Sequence, residues 1–526
     1  VKRDDLEMLR QRSITKLDDA AALKHIGDLI DASDDAYFER GADRALHLLE
    51  QLSIRELEET HGATAEYFRA NAWGVKEKIA SASSSVTWEH PAREEQILAL
   101  SRAVAHPGFS KLHKIRRCQV LTNRANQLFA MGRLIDAIEG WRAALRIIPK
   151  FAIAHANLSR CLRRYGALLE NDEERAILWM HAHDSMAIVT STTAVFDAPY
   201  PKAILQTFAT EAKRYADGLD IEQVRALFEG NPPSLGRTKA ERLYRQWSLD
   251  KGLFLHPLND LGAYPIAAFD NLHLPSISEQ FDERPGALSP PAVIGFFNQI
   301  KQEYVSARYM LYEGLSSTKF HFSDRGVRLA DTLDYPLHSL AMERVRTAYR
   351  IAYSLLDKVA FLVDFYWKLE KHPDHINFKN VWMVEGKKQL LERFRDSENW
   401  PLRGLFWLSK ELFDEKLNST TSPDARELYG IRNALEHKCL QVHFGWVQSY
   451  KLRAPGSPDS RRSITSDFLE EKALRVMKMA RSALVQLALA IGVEEQAREE
   501  NRLSGTVILS MPNYALDDEF KRRDPM

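Results

Sequence analysis

Asn123, Leu128 and Gly132 recur 34 residues later as Asn157, Leu162 and Gly166. The first member of the pair sits in LTNRANQLFAMGRLIDAIEGWRAALRIIPK, where apolar side chains fall at spacings of three and four. Gly132 suits the end of one helix and Pro149 the end of a second, while Ala137 and Ala144 let the two approach. A helix pair of this kind cannot bury its apolar face alone, so the chain is constrained to stack several. The second unit departs from the first, because its matching alanine, Ala176, comes five residues late. Upstream, AYFERGADRALHLLEQL and REEQILALSRAVAHPGF place Gly41, Ala45, Ala103 and Pro107 as weaker echoes.

Asn123, Leu128, Gly132, Ala137, Trp141, Ala144 and Pro149 together resemble a tetratricopeptide repeat, and residues 1–228 are read as a repeat domain of that type. The resemblance implies a solenoid that binds a protein or peptide partner. The rest of the chain excludes several classes. With 72 basic and 72 acidic side chains it is not a globally basic nucleic-acid binder, although a local basic cleft is compatible with that balance. Cys118, Cys161 and Cys439 form no CxxC pair, which argues against a disulfide framework or a thiolate zinc site. No apolar run reaches the roughly 18 residues of a membrane span. These features predict a cytoplasmic protein with no membrane contact and no cofactor.

Gly230, Pro232, Pro233 and Gly236 mark a break, and residues 229–335 read as a linker and an irregular, partly helical connecting region. GNPPSLGRT inside it has a phosphate loop's glycines at the wrong spacing, arginine for lysine, and no preceding strand. Residues 336–500 return to long helices, followed by a tail over 501–526. Val345, Ala348, Ala352, Leu355, Val359 and Leu362 form a core stripe on one of them. Asp467 with Glu470 resembles a capping box opening the last, expected from Asp467 to about Ile491.

IRNALEHKC, residues 431–439, crowds four polar groups into a helix expected over 423–441. At about 100° per residue, Arg432, Glu436, Asn433 and His437 fall at roughly 0°, 40°, 100° and 140°, a single arc. Leu428, Ile431, Ala434, Leu435 and Cys439 are expected to cover the packed face. The R-N-x-x-x-H order of Arg432, Asn433 and His437 resembles the signature of the HEPN superfamily of helical bundles, many of them metal-independent ribonucleases. The fold expected is therefore all-α, a repeat solenoid followed by a HEPN-type bundle. The resemblance implies Arg432, Asn433 and His437 as catalytic, Glu436 as supporting, and an acidic residue on the first bundle helix, for which Asp357 is chosen over Glu343 and Asp364.

That chemistry needs no metal. Ribose supplies its own nucleophile, histidine titrates near neutrality, and arginine is a fixed fork for phosphate. A single histidine per chain is few for two proton transfers, and the family's pairing of such helices implies a homodimer acting on RNA. A toxin or antiviral-defence role is the leading expectation. A non-catalytic scaffold or nucleotide-binding protein is the alternative, and a target of a nucleotidyltransferase is the third reading.

The spacing itself is weak evidence, since Arg40 to His47 and Arg55 to His61 pass a loose version of the same test without the asparagine. Arg432 could equally pair with Glu436 on a surface, with His437 resting at a helix end. His181, His183 and Asp184 are spaced wrongly for convergence on one ion if helical, and His372, Asp374 and His375 are read as loop or surface residues rather than metal ligands. Trp367, Trp382, Trp400, Trp407 and Trp446 are read as core rather than as a base-stacking platform. Lys387, Lys388, Arg393 and Arg395 are expected to share a basic, solvated helix face.

Overall fold

The computed structural model describes residues 3–81, 88–230, 232–278, 291–331, 335–414, 423–444, 461–502 and 515–521. Trp446 lies outside them. The N-terminal half is a succession of helices: α1 (Arg3–Gln11), α2 (Asp19–Asp35), α3 (Glu39–Ser53), α4 (Glu59–Ser81), α5 (Pro91–Ala105), α6 (Lys114–Ala130), α7 (Leu134–Ile147), α8 (Ala152–Ala167) and α9 (Asp172–Val189). From α2 onward each packs on the next, an arrangement compatible with stacked helical repeats. Shorter helices follow, α10 (Lys202–Ala216), α11 (Ile221–Glu229) and α12 (Lys239–Asp250).

The unit at α6 and α7 packs through its small residues. Ala137 and Ala144 are fully buried, and Gly140 presents its bare backbone to Ala125. Trp141 is buried and donates through Nε1 to Asn126 Oδ1 at 2.9 Å, and Asn157 of the next helix donates to the same oxygen at 2.9 Å. The following unit slips because α8 runs on through Gly166 to Ala167, where α6 has already turned at the equivalent place. Gly166 therefore abuts the Trp179 indole inside the helix pair instead of ending a helix.

The C-terminal half contains α13 (Ala292–Ser316), α14 (Leu340–Trp367), the single turn α15 (Glu392–Arg395), α16 (Trp400–Phe413), α17 (Pro423–His437) and α18 (Ser466–Glu500). Between the last two stand β1 (Cys439–His443) and β2 (Arg461–Thr465), paired in parallel with Cys439 opposite Arg461 and His443 opposite Thr465. Ser339 caps α14 by accepting from the Met342 amide at 3.2 Å, and the whole expected stripe from Val345 to Leu362 is buried. Lys368, at a φ of 50°, ends the helix in the left-handed conformation. α18 is long and apolar enough to cross a membrane, yet most of that stretch is buried inside the protein, as a core helix would be.

Three local expectations are corrected. α17 stops at His437, and Cys439 begins a strand and is exposed, so it does not belong to the packed face. Asp467 does not cap α18; Thr465 does, its Oγ1 accepting from the Phe468 amide at 3.3 Å, and the helix runs nine residues beyond Ile491 to Glu500. Lys387, Lys388, Arg393 and Arg395 share no helix face, because a turn at Gly386 and a bridge between Met383 and Leu390 interrupt the segment. Arg393 is instead turned onto the Trp367 carbonyl at 2.6 Å. The irregular, proline-rich stretch after α12 contributes to the core. Leu253, Phe254, Leu255, Leu258, Ala267 and Leu272 are buried in the main core, and α13 packs along α14.

That core joins residues from Trp88 in the N-terminal half to Ile491 in α18. Its polar centre is Arg481 of α18, buried, which donates to Asp260 Oδ1 at 2.5 Å and to the carbonyls of Phe254 at 2.6 Å and His256 at 3.0 Å. Arg133 ties the α6–α7 turn to Glu411 of α16 at 2.5 Å. Trp400 donates to the Phe129 carbonyl at 2.9 Å, and its indole lies under the Arg164 guanidinium. Gly132, at a φ of 89°, meets Gly404 of α16 backbone to backbone, so that a Cβ at either position would overlap the other main chain.

Candidate functional site

Leu428, Ile431 and Ala434 are buried and seat α17 on α14, α16 and α18. Three polar ties fix its register. Tyr349 of α14 donates its hydroxyl to the Leu428 carbonyl at 2.8 Å. Lys472 of α18, itself buried, stands 3.7 Å from Glu427. Arg462 of β2 crosses α17 at Gly430, where any side chain would occupy the space its guanidinium fills. β1 then leaves the end of α17 and is held on its other edge by the Leu337 amide, which donates to the Val442 carbonyl at 2.7 Å. The helix is thus clamped along the packed face, which leaves the opposite arc to chemistry.

On that arc the four residues divide by depth. Arg432 and Asn433 are half-buried, while Glu436 and His437 are exposed at the C-terminal turn. Arg432 Nη1 donates to Asn433 Oδ1 at 3.1 Å. Asn433 therefore orients the arginine rather than the histidine, and among the described residues its amide nitrogen has no acceptor. Among the described residues Arg432 has no carboxylate at ion-pair distance, so the surface pair with Glu436 is not formed. The guanidinium points its charge toward α14 instead. There Asp357 is mostly buried, which pushes its carboxyl above the ordinary carboxylate range, while the Phe378 amide, donating at 3.0 Å, and the Arg432 charge pull it back.

Tyr353, one turn before Asp357, completes the cluster. Burial and then the Asp357 charge push its hydroxyl above the usual tyrosine range, and Arg432 opposes them. Neither Tyr353 nor Arg462 was among the residues singled out by the motif. Tyr353 carries a usable signal, four residues from Asp357 on the same helix face. Arg462 carries none, since it reads as part of a polar loop.

The other constellations have structural occupations. His181 packs edge-on against Phe228, whereas His183 turns to Asp184 at 3.2 Å, and Asp184 also receives Arg225 at 2.8 Å. His375 stands 3.2 Å from Glu385 on the surface. Among the described residues no three His, Cys, Asp or Glu side chains stand as a group able to hold a metal ion. Trp367, Trp382, Trp400 and Trp407 are buried in the core. Arg55, from one of the competing arginine–histidine spacings, binds the Leu17 and Ile14 carbonyls at 3.0 and 2.8 Å and ties helices together.

No curated protein and no solved structure matches the chain. One family model does, that of the LA2681-like HEPN domains, over residues 286–494. The matched span takes in α13 as well as α14, in keeping with the packing of these two helices. The helical bundle of residues 286–494, with the arginine, asparagine and histidine of α17 inside it, is an LA2681-like HEPN domain.

Proposed function

We propose that the chain is a metal-independent endoribonuclease, cutting RNA by attack of a ribose 2′-hydroxyl on the adjacent phosphate. The observation that carries this reading is the arrangement on α17 and α14: a half-buried Arg432 oriented by Asn433, with no carboxylate at ion-pair distance among the described residues, its charge acting on Asp357 of α14, and an exposed His437 further along α17. In the proposed step the O2′–P bond forms as the P–O5′ bond breaks. The 2′-hydroxyl proton goes to a base, and an acid supplies one to the departing O5′. The products are a 2′,3′-cyclic phosphate and a 5′-hydroxyl.

Arg432 is placed to neutralise the charge that grows on the phosphoryl oxygens. Asp357 steadies that guanidinium from behind. His437 serves one of the two proton transfers. The other calls for a second group, and a homodimer pairing α17 with its counterpart would provide it. The repeats then serve as the surface for a protein or peptide partner that restrains the site, which suits a toxin or defence effector.

Purified full-length protein, incubated with RNA in EDTA, is expected to leave cyclic phosphate ends. Arg432→Ala and His437→Ala should each reduce the rate by about 10²–10⁴-fold without lowering the melting temperature. Cleavage that requires added divalent cation, or variants that cut like wild type, would overturn the reading. A HEPN domain that binds nucleotide without cutting would instead show Arg432-dependent nucleotide binding and no cyclic ends.

A further inference from the structure

A cavity of about 400 Å³ opens in the repeat half, between α7, α8, α9 and the turn at Pro257–Asp260. Ile138, Leu158, Leu162 and Leu261 give it apolar walls. Two cations, Arg142 and Arg146, stand on its α7 side, the second exposed. Among the described residues neither has a carboxylate at ion-pair distance. Asp260 is close, but its carboxylate is already taken by Arg481 at 2.5 Å and by the Tyr165 hydroxyl at 3.2 Å. Among the described residues Arg142 hydrogen-bonds only the Asp260 main-chain carbonyl, at 2.7 Å, and burial presses its pKa below the ordinary guanidinium range. A half-buried cation whose one hydrogen-bond acceptor among the described residues is neutral is costly unless something anionic completes it.

Opposite the arginines the wall offers hydrogen bonds. Ser185 is buried there, and His181 Nε2 is buried with no hydrogen-bond partner among the described residues. A ligand satisfying all these surfaces has an anionic group at one end, flat apolar faces in the middle and a hydrogen-bonding edge at the other. A nucleobase on a phosphorylated sugar has these three properties, and the volume falls in the ordinary range for small-molecule sites.

We propose that this cavity binds a nucleoside monophosphate, with the phosphate on Arg142 and Arg146, the base against the leucine walls, and its polar edge on His181 and Ser185. The site is separate from α17 and does not depend on the nuclease reading. The test is isothermal titration of the full chain with AMP, GMP, CMP and UMP, and in parallel with adenosine, guanosine, cytidine, uridine and inorganic phosphate. At least one monophosphate should saturate, with its nucleoside and free phosphate weaker by about tenfold or more. Arg146→Glu, on an exposed residue, should weaken that binding by a similar factor, as should Arg142→Lys, while Arg432→Ala leaves it unchanged. Absence of saturation by all four at millimolar concentration overturns the proposal. So does equal binding of inorganic phosphate, or binding lost in Arg432→Ala and kept in Arg146→Glu, which would place the nucleotide at α17.

Discussion

His256 is buried beside Arg481, and burial together with that guanidinium lowers its pKa to about 4 from 6.5, with Asp270 pulling the other way. Glu174, 3.7 Å away, does not outweigh them, being itself pushed up by burial. The unfolded chain therefore takes up a proton as pH falls through 6.5, and the folded chain refuses it until about 4. Stability present above 6.5 is lost across that window, by on the order of 3 kcal/mol at its acid end. His256→Asn keeps an acceptor for the Leu258 amide that the imidazole now caps. Urea unfolding at pH 7, 5.5 and 4.5 should show a shallower acid loss in this variant; parallel losses would exclude His256 as the titrating group. At the same scale, periodicity does not distinguish Asp357, the residue chosen from sequence, from Glu343 and Asp364, because spacings of 14 and 7 put all three on one face of α14. Packing separates them. Glu343 pairs with Arg346, Asp364 accepts from the Lys371 amide at 3.2 Å, and Asp357 faces Arg432.

Among the elements, periodic helices were legible and irregular segments were not. The α14 stripe and the α6–α7 unit follow from residue spacing, because each buries a continuous face. The start of α17 at Pro423 follows too, since proline is well suited to a first helical turn. The end of α17 does not, because β1 exists only by pairing with β2 and with the segment at Leu337. The stretch from Leu253 to Leu274 has no period to read; its burial comes from partners far along the chain, such as Arg481. Gly132 combines both kinds of information. Sequence marks it as a helix end, while the structure adds that Trp400 and Gly404 leave no room for a Cβ. Gly132→Ala should cost about 1–3 kcal/mol for the left-handed backbone alone, and more for the overlap. A melting temperature within a degree of wild type would refute that close approach.

Over the whole molecule, the main core joins helices α5–α9 to the HEPN domain, while Ile14–Val75 at the N-terminus pack as a separate cluster. Replacing Arg481 by Leu strands a buried Asp260 carboxylate and should cost about 3–5 kcal/mol, read as a fall in the urea midpoint. The full chain from α5 to α18 should melt in one transition. Residues 286–502 expressed alone should bind a hydrophobic dye and lose the cooperative melt, since Trp400, Arg481 and Gly404 then face solvent. A fragment melting at the full-chain temperature would show the shared core to be dispensable.

The position of α18 in that core also sets an order of events. A chain leaves the ribosome N-terminus first, and its early segments fold first. The repeat helices are complete before α17 exists, but α17 lacks one of the helices it packs on, and Asp260 lacks Arg481, until α18 has been made. Translation itself acts as a timer: Arg432 and His437 acquire their setting only after helices α1–α9 are already in place.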